Sequence, residues 1–410
     1  MIKRTIYKQI LNTIDNRPVT LITGARQVGK TTICKELVKD RGFNYVSLDN
    51  LRERKQAIDD PEMFLKLHTS PLIIDEVQYA PELFDAIEAI VNEKKFRDES
   101  NYGMYVLTGS QSYNLMQGIT QSMAGRIGII EMSTLSFSEI KKVDEKPFEV
   151  DIIKIQKRIE TLKLNTDVLY KTIIKGFYPE LYNNPNLDEK TFYSDYVQTY
   201  IERDVSQILN VKDKLLFQNF LELLASITGE ELIYANISKT LGVTINTIKS
   251  WVSILAAGSI ITLIEPYNES SIIKRIVKRP KIIFNDTGLA SYLAGFNDAE
   301  TLKRSRFAGH FVETYIINEI LKSYKNNNEP CKFYYYRDSN QNEIDLLMLK
   351  NGVLTPIECK TGVKFNETSV KGFKQINDTK YDIGTACVLC NTEAIYKIKD
   401  NIYAIPISSI

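Results

Sequence analysis

Val19-Thr-Leu-Ile-Thr-Gly24-Ala25-Arg26-Gln27-Val28-Gly29-Lys30-Thr31-Thr32 joins a run of β-forming residues to a glycine-framed loop and then to a helical pattern. The loop satisfies G-x-x-x-x-G-K-[ST], with the strand before it and the helix after it that this motif requires. Gly24 and Gly29 let the backbone turn sharply, so successive N–H groups converge on a β-phosphate, and the following helix adds the partial positive charge of its N-terminus. Lys30 is placed to neutralise β and γ oxygens, and the Thr31 hydroxyl to hold Mg2+. The expected ATP cradle is thus Gly24, Ala25, Arg26, Gln27, Val28, Gly29, Lys30, Thr31 and Thr32.

Outward from this loop, short apolar runs alternate with helical patterns: NYVSL, PLIID, a helix near Leu83 to Val91, MYVLTG and IGIIEM. Such alternation predicts an α/β fold with a mainly parallel sheet. PLIID ends in Asp75, 45 residues after Lys30, and Glu76 follows it, the form of a metal-coordinating acid followed by a water-activating one. MYVLTGS carries Thr108, Gly109 and Ser110 to a strand tip, which is either a site whose hydroxyls read a γ-phosphate or a plain turn. Arg126, before the last strand, is either an arginine finger or sensor, acting in its own subunit or in a neighbouring one, or a surface cation.

The blocks GARQVGKTT, LIIDEVQYAPELF, LTGSQS and MAGRIGIIEMSTLSFSEI resemble the prokaryotic AAA-type ATPases that carry a C-terminal domain of unknown function. GFYPELY at 176 to 182 and YIERDVSQI at 200 to 208 are similar to the start of that second part. The resemblance spans nearly the whole chain and implies ATP hydrolysis. It also implies an AAA-type sheet with an extra strand between the P-loop strand and the Asp75 strand.

At 410 residues the chain is long for one core, and 43% hydrophobic with 25% charged residues is an ordinary globular balance. The pattern shifts at the polar stretch KKVDEKPFEVD and again near Arg306. It divides the chain into an ATPase domain at 1–140, a helical linker with a winged helix at 141–300 and a small α/β domain at 301–410. Lys and Arg number 52 against 51 Asp and Glu, so any nucleic-acid affinity must come from local patches. The longest apolar stretch, Trp251 to Ile264, is too short to span a membrane, and the N-terminus lacks a signal-peptide core. Five cysteines suit reduced thiols in a cytoplasm, the pair Cys387 and Cys390 reading as strand residues, and two histidines leave no material for zinc fingers.

In the middle region a helix, the short helix ANISKTLG, a turn at Gly242, the helix TINTIKSWVSILAAG and two short strands make a winged-helix pattern. SIIKRIVKRPK between the strands holds Lys274, Arg275, Lys278, Arg279 and Lys281 without an acid. Segment 274–281 and the short polar groups Asn246, Thr247, Lys249 and Ser250, suited to a groove, are candidate DNA contacts; winged helices serve equally as protein-binding modules.

The last region opens with Gly309-His310-Phe311-Val312-Glu313 on an amphipathic helix. NEIDLLMLK, then Asn351-Gly352, then VLTPIECK reads as a hairpin, usually with a two-residue type I′ loop, a longer loop being equally legal. That register sets Asp345 opposite Glu358, with Cβ atoms roughly 5 Å apart, a destabilising pair unless a cation lies between them. A divalent metal would supply it. Lys360 falls on the same face as Glu358. Asp345, Glu358 and Lys360, with Glu313 from the helix, resemble the PD-(D/E)xK nuclease superfamily, which implies a restriction-endonuclease-like domain and metal-assisted phosphodiester hydrolysis. The plainer alternative is a Glu343–Lys360 ion pair beside a solvated Asp345.

Two functions follow. One is an ATP-driven DNA-processing protein, with ATP and Mg2+ as cofactors, in which the winged helix docks duplex and the last domain cuts or senses nucleic acid; the oligomeric state, a homo-oligomer included, is left open. The other is a nucleotide-controlled switch on a protein partner, its nuclease-like domain catalytically silent. A phosphotransferase would need an acceptor pocket that no motif supplies.

Overall fold

The computed structural model describes residues 2–110, 123–200, 214–268, 279–376 and 379–410. They fold as two compact units, residues 3–135 with 254–260 and residues 136–253 with 261–410.

The first unit is built on five strands: β1 (Val19–Gly24), β2 (Asn44–Ser47), β3 (Leu72–Asp75), β4 (Tyr105–Thr108) and β5 (Ile127–Met132). They pair in the order β2-β3-β4-β1-β5, every neighbouring pair parallel. β4 therefore lies between the P-loop strand and the Asp75 strand, the insertion that the resemblance implied. β1, β3 and β4 are buried along their whole length, which is why they read as continuous apolar runs and not as alternating ones. Leu21, Ile74 and Leu107 form the middle of one core face, closed by Leu83, Phe84 and Ile87 of the helix Leu83–Phe96. Helix ends are set locally. Gly29, at φ 101°, turns the loop into the helix Lys30–Arg41, which ends at Gly42 in the left-handed region, its N–H bonded to the Val38 carbonyl. Asp60 caps the helix Pro61–Leu67 through the Met63 N–H at 2.9 Å.

In the second unit the helices Lys214–Ser226 and Tyr234–Leu241, and the helix Ile245–Ala257 as far as Ser253, precede β6 (Ile261–Pro266) and β7 (Lys281–Phe284), an antiparallel pair. Gly242, left-handed at φ 70°, ends the second helix where the sequence placed the turn. β6 also pairs in parallel with β8 (Lys332–Arg337), which continues to β9 (Glu343–Lys350), β10 (Val353–Cys359), β11 (Asp382–Ile383), β12 (Ala386–Cys390), β13 (Tyr396–Lys399) and β14 (Ile402–Pro406). The sheet order is β13-β14-β12-β10-β9-β8-β6-β7, with β11 on β10. The strands read as a separate wing are thus one end of the C-terminal sheet. The β9–β10 register is the expected one, Lys350 opposite Val353 and Leu346 opposite Ile357. Asn351 and Gly352 both have positive φ, 51° and 80°, as a type I′ turn demands.

The helix Ala308–Asn326 differs from expectation. It is buried continuously from Phe311 to Ile320, and not amphipathic against solvent. Its polar residues are bonded internally: Asn318 Nδ2 donates to the Phe284 carbonyl at 2.6 Å, and Glu319 accepts from the Phe137 N–H at 2.7 Å and from Lys322 at 2.8 Å. A polar face inside a protein is stable only with such partners. Among the described residues no helix is long and apolar enough to cross a membrane, and all five cysteines are unpaired, Cys387 and Cys390 buried on β12.

Candidate functional site

The tips of β1, β3 and β4 bring the nucleotide-site residues together. Gly24 has φ 138°, and a Cβ there would stand 2.2 Å from the Met132 carbonyl oxygen, so only glycine fits. Lys30, 7% exposed, turns its ammonium onto the Gly24 and Ala25 carbonyls at 3.0 and 2.8 Å, which holds it across the mouth of the loop. Thr31 Oγ1 donates to Asp75 Oδ2 at 3.3 Å. A hydroxyl and a carboxylate in contact are hard oxygen donors of the kind Mg2+ takes, so Thr31 and Asp75 fit the ion that accompanies a bound nucleotide.

Three hydroxyls orient Asp75. Beside Thr31, Tyr45 from β2 donates to Oδ2 at 2.7 Å, and Thr108 from β4 donates to Oδ1. Burial, and after it the Asp75 carboxylate, hold the Tyr45 phenol above its ordinary range, so it remains a donor. Thr108 also accepts the Glu76 N–H at 3.3 Å. The Thr108 hydroxyl thus bridges Asp75 and the backbone of Glu76. Glu76 is left-handed at φ 61°, and Gln78 Nε2 donates to its carboxylate and reaches Ser110 Oγ at 3.5 Å. Glu76, Gln78 and Ser110 therefore form one polar edge beside the loop.

Arg126 is engaged elsewhere on its own chain. Its Nε donates to Asn92 Oδ1 at 2.7 Å and its guanidinium lies 3.1 Å from Glu88, both on the helix Leu83–Phe96. Two contributors escaped the sequence reading: Tyr45, and Arg4, a buried arginine that donates to the Val28 carbonyl inside the loop at 2.7 Å and to the Ser133 carbonyl at 2.7 Å.

In the second unit the predicted acids do converge, but with an unforeseen centre. Lys360 Nζ lies 2.6 Å from Glu358 Oε1 and 3.8 Å from Asp345 Oδ2, and the same Asp345 oxygen accepts the Cys359 N–H at 2.7 Å. Asp345 is 5% exposed, which removes the reading of it as a solvated edge residue, and Glu343 pairs with a different lysine. That lysine is Lys281, the first residue of β7 and 1% exposed, whose ammonium stands 2.6 Å from Glu313, 3.0 Å from Glu343 and 3.9 Å from Asp345. Lys281 is therefore not a phosphate contact on a wing. Arg279 is exposed, while Lys274, Arg275 and Lys278 lie outside the described residues. Of the polar positions on the helix Ile245–Ala257, Asn246, Lys249 and Ser250 are exposed, and Thr247 is partly buried and bonded to Thr244.

The electrostatics follow from burial. Desolvation pushes Glu313 up to about 8 against the pull of Lys281, and Glu358 up to about 8 with Asp345 adding and Lys360 opposing. Burial disfavours the Lys281 ammonium, but Glu313, Asp345 and Glu343 outweigh it and hold the group above its ordinary value. An open cleft of about 1140 Å³ reaches Glu313, Glu343 and Asp345, with Arg279, His310 and Tyr335 on its walls. Among the described residues no group of three or more His, Cys, Asp or Glu side chains is disposed to hold a metal ion.

Comparison with known proteins agrees on the first unit and is silent on the chemistry of the second. Residues 16–141 match the AAA domain family, residues 166–300 a domain of unknown function (DUF8612) and residues 308–410 a second domain of unknown function (DUF4143). The N-terminal part is thus an AAA-type, ATPase-like domain. Uncharacterized proteins of Mycobacterium tuberculosis and Mycobacterium bovis are each 22% identical over 409 residues, covering 100% of this chain and 84% of theirs. Among solved structures, the Walker-type ATPase of Pyrococcus abyssi aligns at a TM-score of 0.42 and 13% identity, over 72% of this chain and 96% of that one. The Thermotoga maritima RuvB Holliday junction branch migration motor aligns at 0.31 and 14%, over 63% and 88%.

Proposed function

We propose that this chain binds and hydrolyses ATP with Mg2+ in its first unit, and that nucleotide state controls how its second unit engages a partner. The observation that carries the ATPase reading is the convergence of Lys30, Thr31 and Asp75 at the strand tips, with Thr108 aiming Asp75 and Glu76. In that reading Lys30 leaves the Gly24 and Ala25 carbonyls for β and γ oxygens, and Glu76, held by Gln78, orients the attacking water. Mg2+, when bound at Thr31 and Asp75, supplies charge neutralisation of the phosphates. Phosphate release from the full chain should fall to background in Lys30→Ala and by about a hundredfold or more in Glu76→Gln, as loss of a water-orienting group predicts. Turnover by Lys30→Ala equal to wild type refutes the reading.

For the second unit we favour the switch, with the carboxylate cluster catalytically silent, because two lysines already supply the cations its acids need. The competing reading, metal-dependent cleavage of DNA docked through the helix Ile245–Ala257 and the basic segment 274–281, draws on the convergence of Asp345, Glu358 and Lys360. Plasmid nicking in Mg2+ or Mn2+ that is lost in Asp345→Ala would decide for it.

A further inference from the structure

Lys281 does not reach the cluster by chance of a flexible side chain. Its backbone is fixed on both sides, by pairing with Ile264 of β6 and by a bridge to Glu231. The neighbouring Ile282 N–H donates to the Glu230 carbonyl at 3.0 Å, and its carbonyl accepts the Gly229 N–H at 2.7 Å. The ammonium then lies over the Tyr335 ring, 5.4 Å from its centroid, and points at carboxylates from the helix Ala308–Asn326 and from β9. These are the oxygens a divalent cation would use: oxygen ligands bind such ions at roughly 2.0–2.6 Å, and Glu313 Oε1 already has an ammonium at 2.6 Å. A second cation on Glu313 and Asp345 would stand within a few ångströms of the buried Lys281 ammonium, a repulsion that the cleft screens only in part. The donor set therefore does not fit a metal while Lys281 is in place.

We infer that Lys281 is the resident cation of the carboxylate cluster, excluding divalent metal from Glu313 and Asp345 and making the site a metal-free structural one. The inference rests on the silent-cluster reading but can fail separately from it. The test measures Mn2+ binding to the full chain without nucleotide, by electron paramagnetic resonance and by the shift in melting temperature, for wild type, Asp345→Asn, Lys281→Gln, the Lys281→Gln/Asp345→Asn double variant and Lys281→Arg. Wild type and Asp345→Asn should bind Mn2+ identically. Lys281→Gln should gain one site, about tenfold or more tighter than any in wild type, with a rise in melting temperature; the double variant should lose both gains. Lys281→Arg, which keeps the charge, should gain nothing. If Lys281→Gln folds only when Mn2+ is present, the ion has taken the ammonium's place and the inference stands. If it folds in neither condition, or folds and gains no site, or if Asp345→Asn removes a wild-type site, the inference is wrong. Plasmid nicking assayed on the same samples separates the two ideas: a wild-type metal site without nicking overturns the inference alone, whereas Asp345-dependent nicking without such a site overturns the silent-cluster reading alone.

Discussion

Thr108→Val isolates the device that aims the two acids. Valine keeps the volume and β-branching of threonine at a fully buried strand position, so little packing changes, and the hydroxyl is what is lost. Two hydrogen bonds go with it, one donated to Asp75 Oδ1 and one accepted from the Glu76 N–H. Thr31 and Tyr45 still hold Oδ2, so the carboxylate stays in place but with one oxygen bare in a site where Asp75 is 4% exposed. A hydrogen bond to a charged acceptor contributes about 1.5–3 kcal/mol, and the orphaned N–H adds to the penalty, so unfolding stability of the first unit should drop by about 2–4 kcal/mol. The functional effect is on orientation. Partners behind a metal ligand typically change metal affinity or activity by about 10–100-fold, and steady-state phosphate release titrated with Mg2+ should show that loss in kcat, in the Mg2+ half-saturation, or in both. Tyr45→Phe, which strips one of two donors from Oδ2, should have a smaller effect in the same assay. If Thr108→Val lowers stability as stated yet leaves kcat and Mg2+ half-saturation within about twofold of wild type, the hydroxyl only builds the core and the aiming argument fails.

Three further outcomes test the fold. Gly24→Ala places a Cβ 2.2 Å from the Met132 oxygen at φ 138° and should destabilise by about 3 kcal/mol or more in denaturant unfolding. Gly42→Ala, left-handed at φ 70° but facing open space, should lose only about 1–2 kcal/mol. Glu145 is pushed up to about 7 by burial, with Glu139 adding. A carboxyl whose folded value is raised contributes stability below its unfolded value near 4.5 and loses it as pH rises through about 7. Melting of the second unit should therefore decline between those values by an amount on the order of 3 kcal/mol, and Glu145→Gln should flatten the slope while Asn326 keeps a partner.

The nucleotide site was legible because its chemistry is local. A strand, a six-residue turn and a helix N-terminus are contiguous, and glycine at two fixed offsets has a steric reason at each. Asp75 and Glu76 were legible because a strand that ends in acids, in a sheet whose first strand ends in this loop, must present them at the same edge. The hairpin was legible for a similar reason: Asn351-Gly352 favours a two-residue loop, and the period-two pleat then carries the register from Lys350 and Val353 to Leu346 and Ile357, one step short of Asp345 and Glu358. Tyr45 and Arg4 carry no such pattern. Their hydrogen bonds join residues 30 and 24 positions apart, and nothing in the local chain around either marks a buried donor.

Lys281 shows how the same local reading misleads. Counted along the chain it sits in a basic run with no acid nearby, which argues for a solvated cation. In space its partners are 32 and 62 residues downstream at Glu313 and Glu343. What connects them is the ladder β7-β6-β8-β9: because β6 pairs with β8 as well as with β7, the strand carrying Lys281 belongs to the sheet that carries Glu343 and Asp345. Treating the middle and last regions as separate domains hides that ladder and leaves the facing acids without a counter-ion, and a metal then becomes the natural filler. Once the sheet is continuous, side chains of the chain itself supply counter-ions, Lys281 to Glu313 and Glu343, Lys360 to Glu358. The reading of this cluster as a structural one thus rests on strand order, one level above the motif that first drew attention to it.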